Sequence, residues 1–418
     1  MFLIARYNLK CRECGKGYPA AERTVCDDCF GPVKVNFELA EVGRTFTKEN
    51  IARRPLSLWR YFELLPVDDR SRIVDLGAGY TPLIHAKKLG DKLGLRKLYI
   101  KNDSVNPTFS FKDRPVTVGI TKAIEFGKKV ISCASTGNLA AASAAHAAKA
   151  GLPCFVFIPA DIELNKIAQI FAYGARVIAV NGIYDVANRL SNEAADRFGW
   201  AVLNVNIRPY YAEGEKTIAF ETCEQLGWEL PDAVVIPIGS GGLLCEVEKA
   251  FRELRELRLV ADKPVRFYGA QGEGADAVIR AVKKGGPVVP IKNPRTIAKS
   301  IMFGAPGDGE HALRIIRETR GGGENPDDKE ILEGIRLLAQ TEGILTEPAG
   351  GTTIGALKRL AEGGAFDAGD VVVAFITGNG LKTQEAIPKG KAYRIEPRIE
   401  EVERILRRLG RESHGKGD

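Results

Sequence analysis

Eight short apolar runs constrain what this chain can fold into more than any other feature: KLYIKND, KVISCAS, CFVFIPA, ARVIAV, AVLNV, AVVIPIG, RFYGAQG and VVVAFIT. The runs are continuous rather than alternating, so their strands are expected to be buried on both faces. Most of the stretches between them are Ala-rich or amphipathic with helical period. Buried strands alternating with helices predict mostly parallel α/β sheets. The units are too many for one small sheet, and 418 residues exceed a single ordinary domain of about 100–200 residues. Two open, mostly parallel α/β domains with a cleft between them are therefore expected. The expected division is residues 1–36 as a small front segment, 37–125 with 226–395 as a large α/β domain, 126–225 as a smaller one, and 396–418 as a C-terminal helix and tail.

The front segment is set apart by its cysteines. Of eight in the chain, Cys11, Cys14, Cys26 and Cys29 form CREC and CDDC, with eleven residues between the two pairs. Thiolates converging from two tight turns make the tetrahedral sulfur cage that Zn²⁺ prefers, so the pairs point to a structural metal ribbon rather than disulfides. Little between the knuckles is apolar, so metal binding is expected to supply most of the ribbon's folding free energy. Cys133, Cys154, Cys223 and Cys245 are scattered and read as small core residues.

Bulk properties exclude several classes. The chain is 44% hydrophobic and 27% charged, and no stretch approaches the roughly 20 apolar residues of a membrane span. Its N-terminus lacks the apolar core of a signal peptide, and a cytoplasmic location with no membrane partner is expected. The net charge of +7 is spread along the chain rather than clustered in a basic stripe, which argues against a nucleic-acid partner and suits a small anionic substrate.

Three of the strands end in a polar or glycine turn followed by a helix: VISCAS before Thr136-Gly137-Asn138, VVIPIG before Ser240-Gly241-Gly242, and VVAFIT before Gly378-Asn379-Gly380. Open α/β sheets bind ligands beyond the carboxyl ends of their strands, where helix N-termini face anions. The loop Gly239, Ser240, Gly241, Gly242 and Leu243 suits phosphate, because glycine lets backbone approach oxygen closely and serine adds a donor. Neither a GxxxxGK[ST] lysine nor a GxGxxG with its ribose-binding acid is present. In NPTFSFKDR, Lys112 lies between a strand and a helix, where the helix dipole and burial are expected to lower its pKa and suit it to imine formation.

Taken in order, NPTFSFKDR, ASTGNLAAASAAHAAKAG, IGSGGL, TEPAGG and ITGNGLK resemble the fold-type II pyridoxal-phosphate enzymes, and within them the threonine synthases. The resemblance runs from the ribbon to about Leu381. It implies that Lys112 carries pyridoxal 5'-phosphate as a Schiff base, that Asn138 meets the cofactor's phenolic oxygen, that Gly239 to Leu243 hold its phosphate, and that Thr377 faces the pyridine nitrogen. Ser135 and Thr136 would cradle the substrate carboxylate, and Glu347 in TEPAGG is a matched position without an assigned role. The implied substrate is O-phosphohomoserine, the implied assembly a homodimer, and the implied metal zinc on Cys11, Cys14, Cys26 and Cys29.

Two positions depart from the family's pattern. Arg208 stands where an asparagine is usual, leaving Arg208, Asn206 and Lys166 as candidates for the substrate-phosphate anchor, and Phe109 replaces a usual glycine. Cysteate synthases, which take O-phosphoserine and sulfite, share the lysine and the loop, and one methylene of substrate length is a small pocket difference.

Overall fold

A computed structural model describes residues 6–161, 167–182, 184–387 and 392–414. The chain opens with three antiparallel strands, β1 (Tyr7–Cys11), β2 (Gly17–Tyr18) and β3 (Val33–Phe37), in the order β2-β1-β3. On β1 and β3 every second residue is buried, because alternate side chains of a strand share a face. Leu9, Val33, Val35 and Phe37 join one apolar cluster with Val116, Ile120, Tyr210 and Leu254 of the following domain fold. The ribbon therefore buries apolar surface of its own besides any metal it holds. The residues between the knuckles are poor in apolar side chains, but the flanking strands bury a face against the body.

Next come β4 (Leu83–His85) and β5 (Lys97–Asn102), an antiparallel pair, and helix α1 (Asp113–Glu125). The chain then leaves to build a second sheet from β6 (Ile131–Ala134), helix α2 (Asn138–Lys149), β7 (Cys154–Pro159), β8 (Arg176–Val180) and β9 (Ala201–Val202). Its four strands are parallel in the order β8-β7-β6-β9. Helices α3 (Arg208–Glu215) and α4 (Thr217–Gln225) lead back. The first sheet is completed by β10 (Ala233–Pro237), helix α5 (Gly242–Glu256), β11 (Arg266–Ala270), β12 (Gly322–Glu324), helix α6 (Pro348–Glu362) and β13 (Val371–Ile376).

That sheet has the order β12-β11-β10-β13-β5-β4 and is parallel except for β4. Its central strand β10 is buried at every residue, as expected of a strand covered on both faces. Helix α1 is buried from Asp113 to Ala123 and packs against α2 and α3, so the helix that begins at Lys112 touches elements of both sheets' surroundings.

Residues 1–386 form one compact unit and 387–418 another. The second contains helix α7 (Ile399–His414), with an exposed ion pair from Arg404 to Glu401 at 2.6 Å. The end of the tail, residues 415–418, lies outside the described residues. Among the described residues, no helix is long and apolar enough to cross a membrane.

Candidate active site

Strand β5 delivers the chain to Lys112, which stands at the N-cap of α1. The loop that carries it is fastened to the end of β13 by two backbone bonds, Phe111 N–H to Thr377 O at 2.8 Å and Asn379 N–H to Phe109 O at 3.0 Å. Phe109 itself adopts a left-handed conformation at φ 66°, which glycine takes without cost and a side chain does not. Lys112 Nζ donates to Glu215 Oε1 at 3.4 Å and lies 4.4 Å from the ring centre of Phe111 and 5.7 Å from that of Tyr211.

The pKa of Lys112 is raised, not lowered as its position at a helix start suggested. Burial pulls the ammonium down, but Tyr211 and Glu215 more than offset it. Both partners lie four residues apart on α3, on the face turned to the lysine.

The glycine loop follows β10. Gly241 is left-handed at φ 100°, and a Cβ there would sit 2.9 Å from the Asp308 backbone, so no other residue fits. A Cβ on Gly242 would come within 3.1 Å of Glu215 Oε2 and 3.7 Å of Asp308 Oδ2. One carboxylate, Glu215, thus reaches the lysine amine with one oxygen and borders the glycine loop with the other. Ser240 holds the loop's far wall, accepting from Asp308 N–H at 2.8 Å through its carbonyl. Leu243 is buried behind the loop.

The third corner is built on Glu347, the N-cap of α6. Its carboxylate accepts from Asn138 Nδ2 at 3.0 and 3.2 Å and from Ser300 Oγ at 3.2 Å. Burial lifts this carboxyl above its ordinary range, against those bonds and the charge of Lys382. A Cβ on Gly378 would strike the same carboxylate at 2.4 Å, so the glycine after Thr377 is required by the close approach of Glu347. Thr377 is buried at the end of β13.

The structure therefore brings together Lys112, Asn138, Gly239 to Leu243 and Thr377, through Glu215 and Glu347. The remaining candidates are placed differently. Ser135 and Thr136 are half-buried in the turn before α2, where Ser135 Oγ accepts from Gly137 N–H at 3.2 Å. Asn206 directs its side chain to backbone, accepting from Val202 N–H and donating to Trp200 O at 2.9 Å each. Arg208 pairs with Asp308 beside the glycine loop. Lys166 lies outside the described residues.

In the ribbon the four thiol sulfurs of Cys11, Cys14, Cys26 and Cys29 all lie within 4.8 Å of one another. Cys11 Sγ is 3.5 Å from Cys29 Sγ, and Cys14 Sγ is 3.6 Å from Cys26 Sγ. Tyr18 Oη donates to Cys26 Sγ at 3.0 Å and is the main cause of a thiol pKa pulled down to about 6.

Sequence reasoning missed Glu215, Tyr211 and Asp308. The signal was present in YYAEGEKT, where Tyr211 and Glu215 have the spacing of one helical turn, but nothing local marks that face as the one meeting Lys112. Asp308 was hidden because only the fold brings PGDGEH beside the glycine loop.

With the geometry in view, the comparisons with known proteins agree. The family described as "Pyridoxal-phosphate dependent enzyme" matches residues 74–378. Among solved structures, processed threonine deaminase isoform 2 of Solanum lycopersicum superposes with a TM-score of 0.64 at 22% identity, covering 80% of this chain and 94% of its own. Diaminopropionate ammonia lyase of Escherichia coli gives a TM-score of 0.64 at 20% identity, covering 77% and 92%. These two show a shared fold. The chain belongs to the pyridoxal-phosphate-dependent enzymes. Within them it belongs to the threonine synthase family: threonine synthase of Methanocaldococcus jannaschii is 39% identical over 404 residues, 96% of this chain and 99% of its own length. That of Methanosarcina acetivorans is 38% identical over 384 residues, covering 91% and 93%.

Proposed function

We propose that this protein converts O-phospho-L-homoserine and water into L-threonine and phosphate. The observation that carries the reading is the double reach of Glu215, to the Lys112 amine and to Gly242, in a chain alignable almost end to end with threonine synthases. It ties the amine that would bond the cofactor to the loop that would hold its phosphate.

The residues fit pyridoxal phosphate. Lys112 supplies the amine, the glycine loop has room for phosphate oxygens where side chains would clash, Asn138 offers an amide donor, and Thr377 lies buried directly after β13. When bound, the cofactor supplies an electron sink conjugated to the substrate's amino group, which acidifies the neighbouring C–H bonds. The Lys112 amine, when free, would serve as the base that takes the α-proton and then a β-proton. Phosphate leaves from the γ-carbon, which then receives a proton to become the methyl group; water adds its hydroxyl at the β-carbon, and a proton returns to the α-carbon to give threonine. Glu215 and Tyr211 hold the amine in place between these transfers, and Glu347 fixes Asn138 by accepting both of its short contacts. Ser135 and Thr136 are assigned to the substrate carboxylate, and Arg208, at the rim of the glycine loop, to the substrate phosphate.

For the four cysteines we infer zinc. A tetrahedral cage with Zn–S bonds of about 2.3 Å spaces its sulfurs about 3.8 Å apart, close to the separations of Cys11 from Cys29 and Cys14 from Cys26.

Purified protein given O-phosphohomoserine alone should release phosphate and form threonine in equal amounts. Lys112→Ala should lose the visible absorbance of the bound cofactor and at least about 10²–10⁴-fold of the rate. Strict dependence on O-phosphoserine and sulfite would overturn the assignment in favour of cysteate synthesis.

A further inference from the structure

Arg12 lies inside the first cysteine knuckle, between Cys11 and Cys14, yet its side chain leaves the ribbon. Its Nη1 donates to Asp308 Oδ1 at 2.8 Å, and the guanidinium is only 13% exposed. The other oxygen of Asp308 is taken by Arg208. Asp308 is in turn fixed to the glycine loop, because its N–H donates to Ser240 O at 2.8 Å and its backbone sits where a Cβ on Gly241 would go. One carboxylate thus joins the ribbon, the loop assigned to the cofactor phosphate and the arginine assigned to the substrate phosphate.

The charges explain why two arginines are needed. A lone aspartate beside a phosphate loop repels the anions the loop must receive. One arginine offsets its charge, and the second counters part of the further negative charge that Glu13 beside Arg12 and Glu215 beside Gly242 bring to the same place. Around Arg12 the field is positive: His311 Nδ1 is 3.4 Å from Arg12 Nη1 and 3.5 Å from Lys34 Nζ. Burial, then Lys34, Arg12 and Arg314, push the His311 pKa down to about 3, so this ring adds no charge of its own. The acids facing the cluster are Asp308, Glu13, 2.9 Å from Arg12, and Glu246, 3.6 Å from Lys34.

The ribbon is also bolted to the helix that carries Arg208. Tyr210 Oη donates to Ala21 O at 2.8 Å, and Lys249 Nζ donates to Val35 O at 2.7 Å while pairing with Glu213. Arg12 can therefore be held at a fixed distance from Arg208.

We propose that Arg12 is a positioning residue for recognition of the phosphate ester: through the shared Asp308 it sets the place of Arg208 and offsets the negative charge that Asp308 would otherwise present to a phosphate. The inference rests on the reading of Arg208 as the substrate-phosphate anchor. Arg12→Gln in the full-length holoenzyme should raise KM for O-phosphohomoserine about tenfold with kcat reduced less than threefold. Calorimetric titration of inorganic phosphate into the same holoenzyme should show binding weakened by about the same factor. Arg12→Lys, which keeps the charge and a donor, should recover most of both losses. A general structural defect would instead lower kcat and the unfolding midpoint along with affinity, and lysine would not rescue it.

KM and phosphate affinity within twofold of wild type in Arg12→Gln, or a fall in kcat with KM unchanged, would overturn the proposal. Because phosphate titration needs no turnover, the two readings fail separately. A wild-type protein that binds phosphate but leaves O-phosphohomoserine untouched refutes the substrate, whereas an Arg12→Gln protein that binds phosphate normally refutes the role of Arg12.

Discussion

Arg114 and Arg12 each brace the site through shared carboxylates, in contrasting surroundings. Arg114, two residues beyond Lys112, is fully buried and reaches Asp103 at 2.6 and 2.8 Å, Glu221 at 2.6 and 2.7 Å, Thr217 at 3.0 Å and Thr81 at 3.1 Å. Lys101 Nζ adds bonds to Glu221 at 2.8 Å and to Thr81 O at 2.7 Å, also out of water. Every charge in this hub has its partners, which is the condition under which buried ions are tolerated. Arg12 is less deeply buried, with 13% of its side chain exposed against none for Arg114, so solvent replaces part of a lost charge there. The difference separates two jobs. The hub sets whether the fold around Lys112 exists, and the ribbon edge tunes how tightly an anion is held.

The sharpest way to break this contrast is at the hub. Arg114→Met leaves Asp103 and Glu221 buried without their main cation, and denaturant unfolding should report a loss of about 3–5 kcal/mol. A loss as small as that of an exposed pair would mean that water enters the hub and that the two regions do not differ in kind.

Acid should weaken the same hub in a defined window. Burial alone would raise the Glu221 carboxyl, but Arg114 and Lys101 outweigh it and hold the pKa at about 2, below its ordinary 4.5. The carboxylate's contribution is therefore complete above about pH 4.5 and declines as pH falls toward 2, by roughly 3 kcal/mol over the interval. Stability measured against pH should fall in that range in the wild type and fall less steeply in Glu221→Gln.

The smallest effect on stability belongs to the ribbon. Cys26→Ser should abolish stoichiometric zinc by metal analysis, yet lower the unfolding free energy of the body by under about 2 kcal/mol, because Leu9, Val35 and Phe37 remain packed on it. Collapse of the whole protein on losing zinc would erase the distinction between a fold-setting hub and a tuning edge.

How much of this was legible in the sequence follows from how local each signal is. The eight apolar runs all became strands, because a short run of apolar and β-branched residues marks consecutive positions, but the expected burial on both faces fails for β8, an edge strand with no fully buried residue. β4 and β12 left none: Leu83–His85 and Gly322–Glu324 are three-residue edges without an apolar run, defined by the neighbour they pair with. At the site, Lys112, Asn138 and the glycine loop sit in motifs at strand ends, and each motif is contiguous. Glu215, Tyr211 and Asp308 are ordinary residues until α3 and the segment before Gly309 fold against those motifs. The direction of the Lys112 pKa failed for the same reason, since the helix start is a local fact and the carboxylate opposite it is not. Arg12 was masked by the cysteines on either side of it, which account for the knuckle without assigning its arginine.

The order of the large sheet has a bearing on synthesis. β5 pairs with β13 in parallel register, Lys97 with Val371 through Asn102 with Ile376, so the strand leading to Lys112 waits for the last strand of the body before it is enclosed. A chain emerging from the ribosome has made its lysine, its glycine loop and most of its helices by then, but has neither Thr377 nor the sheet's central ladder. Pairings this distant in sequence form late and slowly. Until Ile376 has been made, β5 lacks its β13 partner and the loop that carries Lys112 lacks Thr377, to whose carbonyl Phe111 N–H is bonded.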